Sequence, residues 1–305
     1  MSIDAAHLRS LIASMIDPHK AIHGELKDRV LVGLLGRGIA RSRSPQMHER
    51  EGRRLGLSYN YVLIDFDELR LGDEALGHVL DVTSALGFAG VNVTHPFKQQ
   101  VIEHLDDLAP EATAIGAVNT VVLGSGRRVG HNTDAWGFAE SFRSELADAA
   151  LDEIVQFGAG GGGAAVAYAV LTLGARHLSI NDVNVRRAEQ LSARLAQRFG
   201  DMASPVADPV AALRRASGAI NASPVGMDKY PGTPFATEAL VPTQWVADIV
   251  YFPAETELLR RARRIGCRTL AGTGMAIHQA IKAFELFTGI TPDRAAMAQH
   301  FAAVA

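Results

Sequence analysis

The 305-residue chain lacks the features that mark several classes of protein. Its single cysteine, Cys267, excludes an internal disulfide, and no Cys/His cluster has metal-ligand spacing, so a reducing cytoplasm is expected and no metal. Lys and Arg number 30 against 33 Asp and Glu, which leaves no basic surface of the kind that binds nucleic acid. No stretch approaches the roughly 18 apolar residues that span a bilayer, and the N-terminus has no secretion signal. A globular cytoplasmic protein without nucleic-acid or membrane partners is predicted.

The sequence does contain alternating strand and helix patterns, in two sets. In the first, the apolar run 30–36 and the alternating run 59–66 are separated by helical spacing, and residues 117–132 predict a hairpin. An amphipathic helix is expected near residues 5–16, ahead of the first strand. After residue 134, a strand, a glycine-rich turn, a helix and a second strand have the spacing of a right-handed βαβ unit, which two later strands extend. An α/β protein is predicted, long enough for two domains.

The glycine-rich turn has the spacing of a dinucleotide-binding motif. Gly158, Gly160 and Gly163 give G-x-G-x-x-G, a weak pattern alone, but a strand ends before it, a helix opens within it, and Asp182 closes the next strand. The first glycine makes the tight turn, the second lets the backbone approach a pyrophosphate, and the helix N-terminus favours the phosphate charge. The alternative is a glycine-rich turn that binds nothing.

Polar clusters lie where predicted loops meet helices or strands. They contain Ser42, Ser44, Asn92, Thr94, Lys98, Asn119, Asn132, Thr133, Asp134 and Gln279. Several of these residues also have an interpretation that needs no ligand. Ser44, Thr133 or Asp134 could cap a helix, Asn119 could satisfy a turn, and Gln279 could be solvated.

Lys98 is unusual because of the proline two residues before it. Pro96 has the fixed φ of a first helical residue, so a helix is predicted to begin there, with Lys98 in its first turn. A cation at that end of a helix is disfavoured by about 0.3–1 kcal/mol. By itself the position predicts a solvated lysine, and only the other motifs favour a catalytic one.

Seven motifs in order resemble those of the shikimate/quinate dehydrogenase family. The family pattern is S-x-S-P-x-x-H, N-V-T-x-P-F-K, G-A-V-N-T, N-T-D-x-x-G, G-A-G-G, N-A-[ST]-P-V-G-M and G-x-x-M-x-x-x-Q-A, and this chain has all seven between residues 42 and 280. The resemblance implies a two-domain α/β fold. Residues 1–133 with 272–305 would form an N-terminal α/β substrate domain, and residues 134–271 a Rossmann NAD(P)-binding domain.

The resemblance also implies roles, position by position. Lys98 and Asp134 match the catalytic pair, which must handle the proton of the reacting hydroxyl while the nicotinamide carries the hydride. The positions expected to contact the substrate are Ser42, Ser44, Thr94, Asn119, Tyr251 and Gln279, together with Asp134. Those expected to contact the cofactor are Gly158, Ala159, Gly160, Gly161, Gly163, Asn181, Asp182, Asn221, Ser223, Pro224, Val225, Met227 and Gly274.

The implied reaction interconverts shikimate and 3-dehydroshikimate with NAD or NADP. Quinate and aminoshikimate are alternative substrates, and a homodimer is a possible assembly. A ligand-binding homologue without turnover is a further alternative, against which the presence of both Lys98 and Asp134 argues.

Family members that use NADP have Asn-Arg-Thr after the second Rossmann strand, whereas this chain has Asn181-Asp182-Val183. NAD is therefore the predicted cofactor, although Arg186 and Arg187 could restore some use of NADP.

Overall fold

The computed structural model describes residues 5–16 and 29–302, and the chain folds into two compact units. Unit 1 comprises Met1–Thr113, Ala117–Thr133 and Ala280–Ala305, as far as these are described, and unit 2 comprises Ala114–Gly116 and Asp134–Gln279. Each unit has its own six-stranded sheet. The predicted α/β class is confirmed, while the binding role of each unit stays a prediction.

Unit 1 is built on a mixed sheet. Its strands are β1 (Arg29–Gly36), β2 (Ser58–Asp65), β3 (Gly90–Val93), β4 (Asp107–Leu108), β5 (Thr120–Gly124) and β6 (Arg127–His131), in the spatial order β2-β1-β3-β5-β6-β4. Strand β1 is parallel to β2 and β3, and β5 and β6 form the predicted antiparallel hairpin. The helices of this part are α1 (Ala5–Ser14), α2 (Ser44–Arg54), α3 (Leu76–Ala85), α11 (Arg294–Ala302) and α4 (Pro110–Ile115), whose last two residues belong to unit 2.

The apolar core of unit 1 includes the helix predicted near the N-terminus. Leu8 and Ile12 lie one turn apart on α1 and are fully buried among the residues of this core. Helix α1 packs on α3, which contributes Leu76, Val79 and Leu80 to the same cluster. The spacing of four residues is that of one face of an amphipathic helix. The remainder of the N-terminal extension, residues 17–28, lies outside the described residues.

A second cluster of unit 1 is aromatic and encloses His48. The imidazole lies 5.8 Å from the Tyr59 ring, 5.0 Å from the Tyr61 ring and 5.8 Å from the Phe284 ring, centroid to centroid. Its Nδ1 is 3.0 Å from the Tyr59 hydroxyl, and its Nε2 has no hydrogen-bond partner among the described residues. Burial lowers the pKa of His48 to about 3. The side chain is therefore neutral in the folded protein near pH 7.

This histidine predicts a loss of stability in mild acid. In the unfolded chain His48 binds a proton below its ordinary pKa of about 6.5, whereas in the folded protein it does not until about pH 3. Its contribution to stability is therefore present above pH 6.5 and is lost as the pH falls. The expected loss between pH 7 and pH 5 is about 2 kcal/mol. Urea unfolding at both pH values measures it, and His48→Gln, which does not titrate, should remove this part of the pH dependence. An unchanged dependence in that variant contradicts the prediction.

Unit 2 is built on an all-parallel sheet. Its strands are β7 (Glu153–Phe157), β8 (His177–Asn181), β9 (Ala203–Pro205), β10 (Gly218–Asn221), β11 (Trp245–Asp248) and β12 (Arg268–Ala271), in the order β12-β11-β10-β7-β8-β9. Its helices are α5 (Thr133–Glu145), α6 (Gly161–Thr172), α7 (Val185–Phe199), α8 (Pro209–Arg215), α9 (Glu257–Ile265) and α10 (Gly272–Thr288), the last of which continues into unit 1. The predicted βαβ unit and its two later strands are confirmed. None of the helices in the described ranges is long and apolar enough to cross a membrane.

The predicted helix start at Pro96 is wrong. The His95–Pro96 peptide bond is cis, and the Phe97 N–H donates to the Thr94 carbonyl at 2.9 Å, which closes a turn. A short 3₁₀ helix follows only at Gln100–His104. Phe97 is fully buried, with its ring centroid 4.5 Å from that of Phe66, so packing into the core sets the local chain path. Lys98 therefore lies in a turn. The unfavourable interaction predicted between its charge and the N-terminus of a helix does not apply to it.

Candidate active site

The loop that carries Ser42 and Ser44 follows β1 and is held by a buried carboxylate. Asp65, at the end of β2, is 2% exposed, and its Oδ2 accepts the Ile39 N–H at 2.7 Å. The Ser42 N–H donates to the Ile39 carbonyl at 2.9 Å, and the Ser42 hydroxyl oxygen accepts the Ser44 N–H at 3.3 Å. Ser44 is itself the first residue of α2, with Arg43 in the N-cap position, so the interpretation of Ser44 as the N-cap is wrong.

Thr94 lies beside this loop because Gly36 has no side chain. A Cβ atom on Gly36 would overlap the Thr94 methyl group and would lie 2.9 Å from Ile39 Cγ2. The Thr94 N–H donates to the Leu35 carbonyl at 2.9 Å. Strands β1 and β3 are parallel neighbours, so their C-terminal ends lie at the same edge of the sheet. The structure places the serine loop and Thr94 side by side at that edge.

Asn119 belongs to a buried polar network in unit 1. Its Oδ1 accepts the Thr133 N–H at 2.8 Å, and its Nδ2 donates to the Thr133 hydroxyl at 2.9 Å. Nearby, Asn92 Nδ2 donates to the Thr120 hydroxyl at 3.0 Å, and the Tyr61 hydroxyl donates to Asn92 Oδ1 at 2.8 Å. Thr133 is the first residue of α5, and its N–H is one that has no acceptor within the helix, so Asn119 satisfies it. The network fixes the main chain directly before Asp134.

The main chain is held by hydrogen bonds at Lys98 and directly before Asp134. Lys98 is half-buried, and its main-chain carbonyl accepts the Val118 N–H at 2.7 Å, next to Asn119. Asp134 is 5% exposed in the first turn of α5. Lys98 belongs to unit 1 and Asp134 to unit 2. The proton-transfer role predicted for them remains a proposal.

Glycines of two motifs allow α5 and α10 to approach closely. A Cβ atom on Gly137 would lie 2.8 Å from the main-chain nitrogen of Gln279, and one on Gly274 would overlap the Ser141 hydroxyl. Gly274, predicted to contact the cofactor, therefore has a packing role in this structure. Gln279 is half-buried, and its Nε2 donates to the Ala276 carbonyl at 3.1 Å.

The dinucleotide turn, defined here as Gly158–Gly163, has a shape that accommodates a phosphate. Gly158 has a φ of +107°, in the left-handed region, and a Cβ atom on Gly163 would overlap the Gly158 carbonyl oxygen. A Cβ atom on Gly160, in contrast, would meet no atom within 4 Å. Helix α6 begins at Gly161, so its first N–H groups lie at this opening. The turn is closely packed on the inside and open at one residue, which fits a dinucleotide pyrophosphate.

Asp182 lies beside this turn with a fixed orientation. Its Oδ2 accepts the Ala159 N–H at 2.7 Å, and its Oδ1 accepts the Asn184 N–H at 2.8 Å. Each carboxylate oxygen can accept a second hydrogen bond, so the group can also bind a ribose hydroxyl. Val183, the next residue, is fully exposed, and Arg186 and Arg187 of α7 are exposed as well.

The loop Asn221–Met227 is held by Asp248, which sequence reasoning missed. Asn221 Nδ2 donates to Asp248 Oδ1 at 2.9 Å and to the Val225 carbonyl at 2.8 Å, while Asn221 Oδ1 accepts the Ser223 hydroxyl at 2.7 Å. The Thr256 hydroxyl donates to Asp248 Oδ2 at 2.7 Å. Burial raises the pKa of Asp248 to about 6, although these hydrogen bonds act in the opposite direction. The feature of the sequence that could have indicated this role is an acidic residue at the end of strand β11.

Asp248 changes the pH dependence of stability in the direction opposite to that of His48. Because the folded-state pKa of Asp248 is raised, the folded protein binds its proton more readily than the unfolded chain does. The stability that this group contributes is present at low pH and is lost as the pH rises through about 6. Asp248 therefore offsets part of the acid destabilisation expected from His48.

Other predicted residues lie at the surface of unit 2. Tyr251, in the loop after β11, is 44% exposed, and Met227 is 40% exposed. Within the part of the chain that the structure describes, no three His, Cys, Asp or Glu side chains are grouped as a metal site would require.

Two family models match the chain. The shikimate dehydrogenase substrate binding domain matches residues 34–121, and the shikimate 5'-dehydrogenase C-terminal domain matches residues 272–300. A shikimate dehydrogenase (NADP(+)) of Streptomyces avermitilis is 53% identical over 282 residues, which cover 92% of this chain and 97% of that protein. A quinate/shikimate dehydrogenase (NAD(+)) of Corynebacterium efficiens is 46% identical, with coverage of 87% and 95%.

Solved structures are similar over the same range. Quinate dehydrogenase from Corynebacterium glutamicum in complex with NAD superposes with a TM-score of 0.86 at 44% identity, covering 91% of this chain and 100% of that one. Shikimate 5-dehydrogenase from Thermus thermophilus, in complex with NADP(H) and shikimate, has a TM-score of 0.80 at 33% identity, with coverage of 90% and 100%. The similarity therefore extends over both units.

Proposed function

The chain belongs to the shikimate/quinate dehydrogenase family, and from that premise we propose that it interconverts shikimate and 3-dehydroshikimate with NAD or NADP. The observation that carries the proposal is 53% identity to a shikimate dehydrogenase over 92% of the chain, with Lys98 and Asp134 both present. Unit 1 would bind the substrate and unit 2 the nucleotide. Rates of NAD and NADP reduction with shikimate test the activity directly.

In the proposed mechanism the protein handles the proton. When bound, the nicotinamide supplies the hydride chemistry. As hydride leaves the ring carbon, the hydroxyl proton must leave as well, and the Lys98 and Asp134 side chains take it up. They return it in the reverse reaction. The buried network behind Asn119 and Thr133 keeps the main chain at Asp134 in place.

Neutral polar side chains would recognise the substrate. The proposed contacts are Ser42, Ser44, Thr94, Asn119, Tyr251 and Gln279. Hydroxyl and amide groups both donate and accept hydrogen bonds, as a ring with several hydroxyls and one carboxylate requires. A site built to bind a hydroxyl discriminates against analogues that lack it, because its own groups are left unpaired.

Thr94→Val is expected to weaken shikimate binding by about 1–3 kcal/mol through loss of the hydroxyl. Valine keeps the methyl group that packs against Gly36, so the fold should be preserved. The shikimate KM should rise while the nucleotide KM stays unchanged, and Thr94→Ser should retain most of the affinity. A normal shikimate KM in the valine variant would remove Thr94 from the site.

Gly160→Ala is expected to weaken dinucleotide binding without affecting the fold. Gly160 has a φ of −76°, which alanine adopts readily, and its Cβ would meet no protein atom within 4 Å. The added methyl group would lie where the pyrophosphate approaches, so the Kd for NAD should rise by about tenfold or more. Gly124→Ala is the matched control, since Gly124 is equally open and lies outside the turn. Unchanged NAD binding in Gly160→Ala contradicts the placement of the pyrophosphate.

Quinate is the second candidate substrate. One observation favours it: the relative from Corynebacterium efficiens is named a quinate/shikimate dehydrogenase (NAD(+)). Steady-state rates for shikimate, quinate and aminoshikimate, each with both cofactors, distinguish the candidates. A cytoplasmic location is part of the proposal, in keeping with the single, buried Cys267. Light scattering decides between a monomer and the homodimer considered above.

A further inference from the structure

Gln156 is a polar residue at the buried centre of the parallel sheet of unit 2. It is 0% exposed in β7, between Val155 and Phe157, which belong to an apolar cluster. Its carbonyl Oε1 is buried and has no hydrogen-bond partner among the described residues. A buried acceptor without a partner is unfavourable, and an apolar side chain would avoid it. The reason for a glutamine here must therefore lie in its amide donor group.

The donor group of Gln156 joins the two ends of the dinucleotide turn. Its Nε2 donates to the Gly158 carbonyl at 2.8 Å and to the Gly163 carbonyl at 2.9 Å. Four residues, 159–162, lie between these two acceptors, and the open residue, Gly160, is one of them. The side chain thus spans the turn from the inside.

The two peptide groups that Gln156 contacts are held on their N–H sides as well. The peptide after Gly158 presents the Ala159 N–H, which donates to Asp182 Oδ2 at 2.7 Å. The peptide after Gly163 presents the Ala164 N–H, which donates to the Gly160 carbonyl at 2.8 Å. A planar peptide held at both ends cannot rotate without breaking a hydrogen bond. Both ends of the turn are therefore fixed before any ligand binds.

We propose that Gln156 is a positioning residue for the dinucleotide pyrophosphate. By keeping two carbonyl groups on the inside of the turn, it leaves the first N–H groups of α6, which have no acceptor within the helix, for the anion. Gln156 acts through the main chain and contacts no reacting atom. The pyrophosphate is common to NAD and NADP, so Gln156 contributes equally to the binding of both. This inference rests on the proposed function.

Gln244 provides a matched control within the same unit. It is also a buried glutamine, 2% exposed, and its Nε2 donates to two main-chain carbonyls, those of Leu213 and Ala216, at 2.6 and 2.8 Å. These acceptors lie at the end of α8, away from the dinucleotide turn. Removing the amide of Gln244 loses the same kind of hydrogen bonds without affecting the turn.

The test compares Gln156→Met and Gln244→Met by calorimetric titration with NAD, NADP and ADP-ribose, below the Tm of each variant. ADP-ribose carries the pyrophosphate without the nicotinamide. Gln156→Met should weaken all three ligands by about tenfold or more, because the turn is no longer organised before binding. Its shikimate KM, measured at saturating cofactor, should stay within about twofold of wild type. Gln244→Met should lower the Tm and leave the three Kd values unchanged.

Unchanged Kd values in Gln156→Met overturn the proposal, and so does equal weakening in Gln244→Met, which would indicate a general loss of structure. If Gln156→Met does not fold, Gln156→Glu, of nearly the same size and shape, replaces it under the same criteria. A wild-type protein that binds none of the three ligands contradicts the proposed function instead, so the two failures are distinguishable.

Discussion

Lys98→Ala and Asp134→Ala are each expected to lower kcat by about 10²–10⁴-fold, the usual contribution of general acid–base catalysis. Both residues match the catalytic positions of the family motifs, and hydrogen bonds hold the main chain at the Lys98 carbonyl and at the Thr133 N–H, directly before Asp134. The nucleotide Kd should change little, because neither residue lies in the dinucleotide turn. Rapid-mixing measurement of the hydride step, with steady-state kcat, tests the expectation.

Two further variants separate proton transfer from a loss of structure. Lys98→Arg keeps the charge but does not readily release a proton, so it should remain slow. In the double variant Lys98→Ala/Asp134→Ala the effects should be far from additive, since the two groups would act as one unit. Near-normal turnover in a folded Lys98→Ala protein would remove the lysine from the mechanism.

A preference for NAD over NADP, by about one to two orders of magnitude in kcat/KM, is the second large effect expected. A carboxylate repels a 2′-phosphate by about 4 kcal/mol per unit charge at 4 Å with an effective dielectric constant of 20, and solvent screening reduces that figure. The names of the relatives do not decide the matter, because one at 53% identity is named for NADP(+) and one at 46% for NAD(+). Asp182 is the nearby group whose charge would favour NAD over NADP.

Asp182→Asn and Asp182→Ala measure that discrimination. Asp182 also binds the Ala159 N–H, so its loss is expected to disturb the turn and weaken both cofactors. Because both cofactors share the pyrophosphate, this damage cancels in the ratio of their kcat/KM values, which reports the charge effect alone. Arg186→Ala and Arg187→Ala test the other groups considered above, since losing an arginine that binds the 2′-phosphate would raise the preference for NAD. A wild-type preference for NADP, or an unchanged ratio in the Asp182 variants, means that Asp182 does not select the cofactor.

Periodic and local features could be predicted from the sequence. The hairpin of residues 117–132, the βαβ unit after residue 134 and the helix at Ala5–Ser14 all follow from the spacing of apolar residues and from glycine turns, and the structure contains each of them. The family followed from ordered motifs, because the residue types at the site are set by the ligand and recur in the same order along the chain. Strands β4 and β9, of two and three residues, are too short for a period to be recognised.

Only the tertiary structure decided which groups the buried side chains contact. It placed Lys98 in a turn rather than a helix, because the Phe97 side chain is buried against Phe66. It assigned Asp248 to the loop of Asn221, 27 residues earlier, and Gln156 to the two ends of the dinucleotide turn. These contacts join buried side chains to polar groups elsewhere in the chain. A hydrogen bond depends on distance and direction in the folded protein, and spacing along the sequence contains neither.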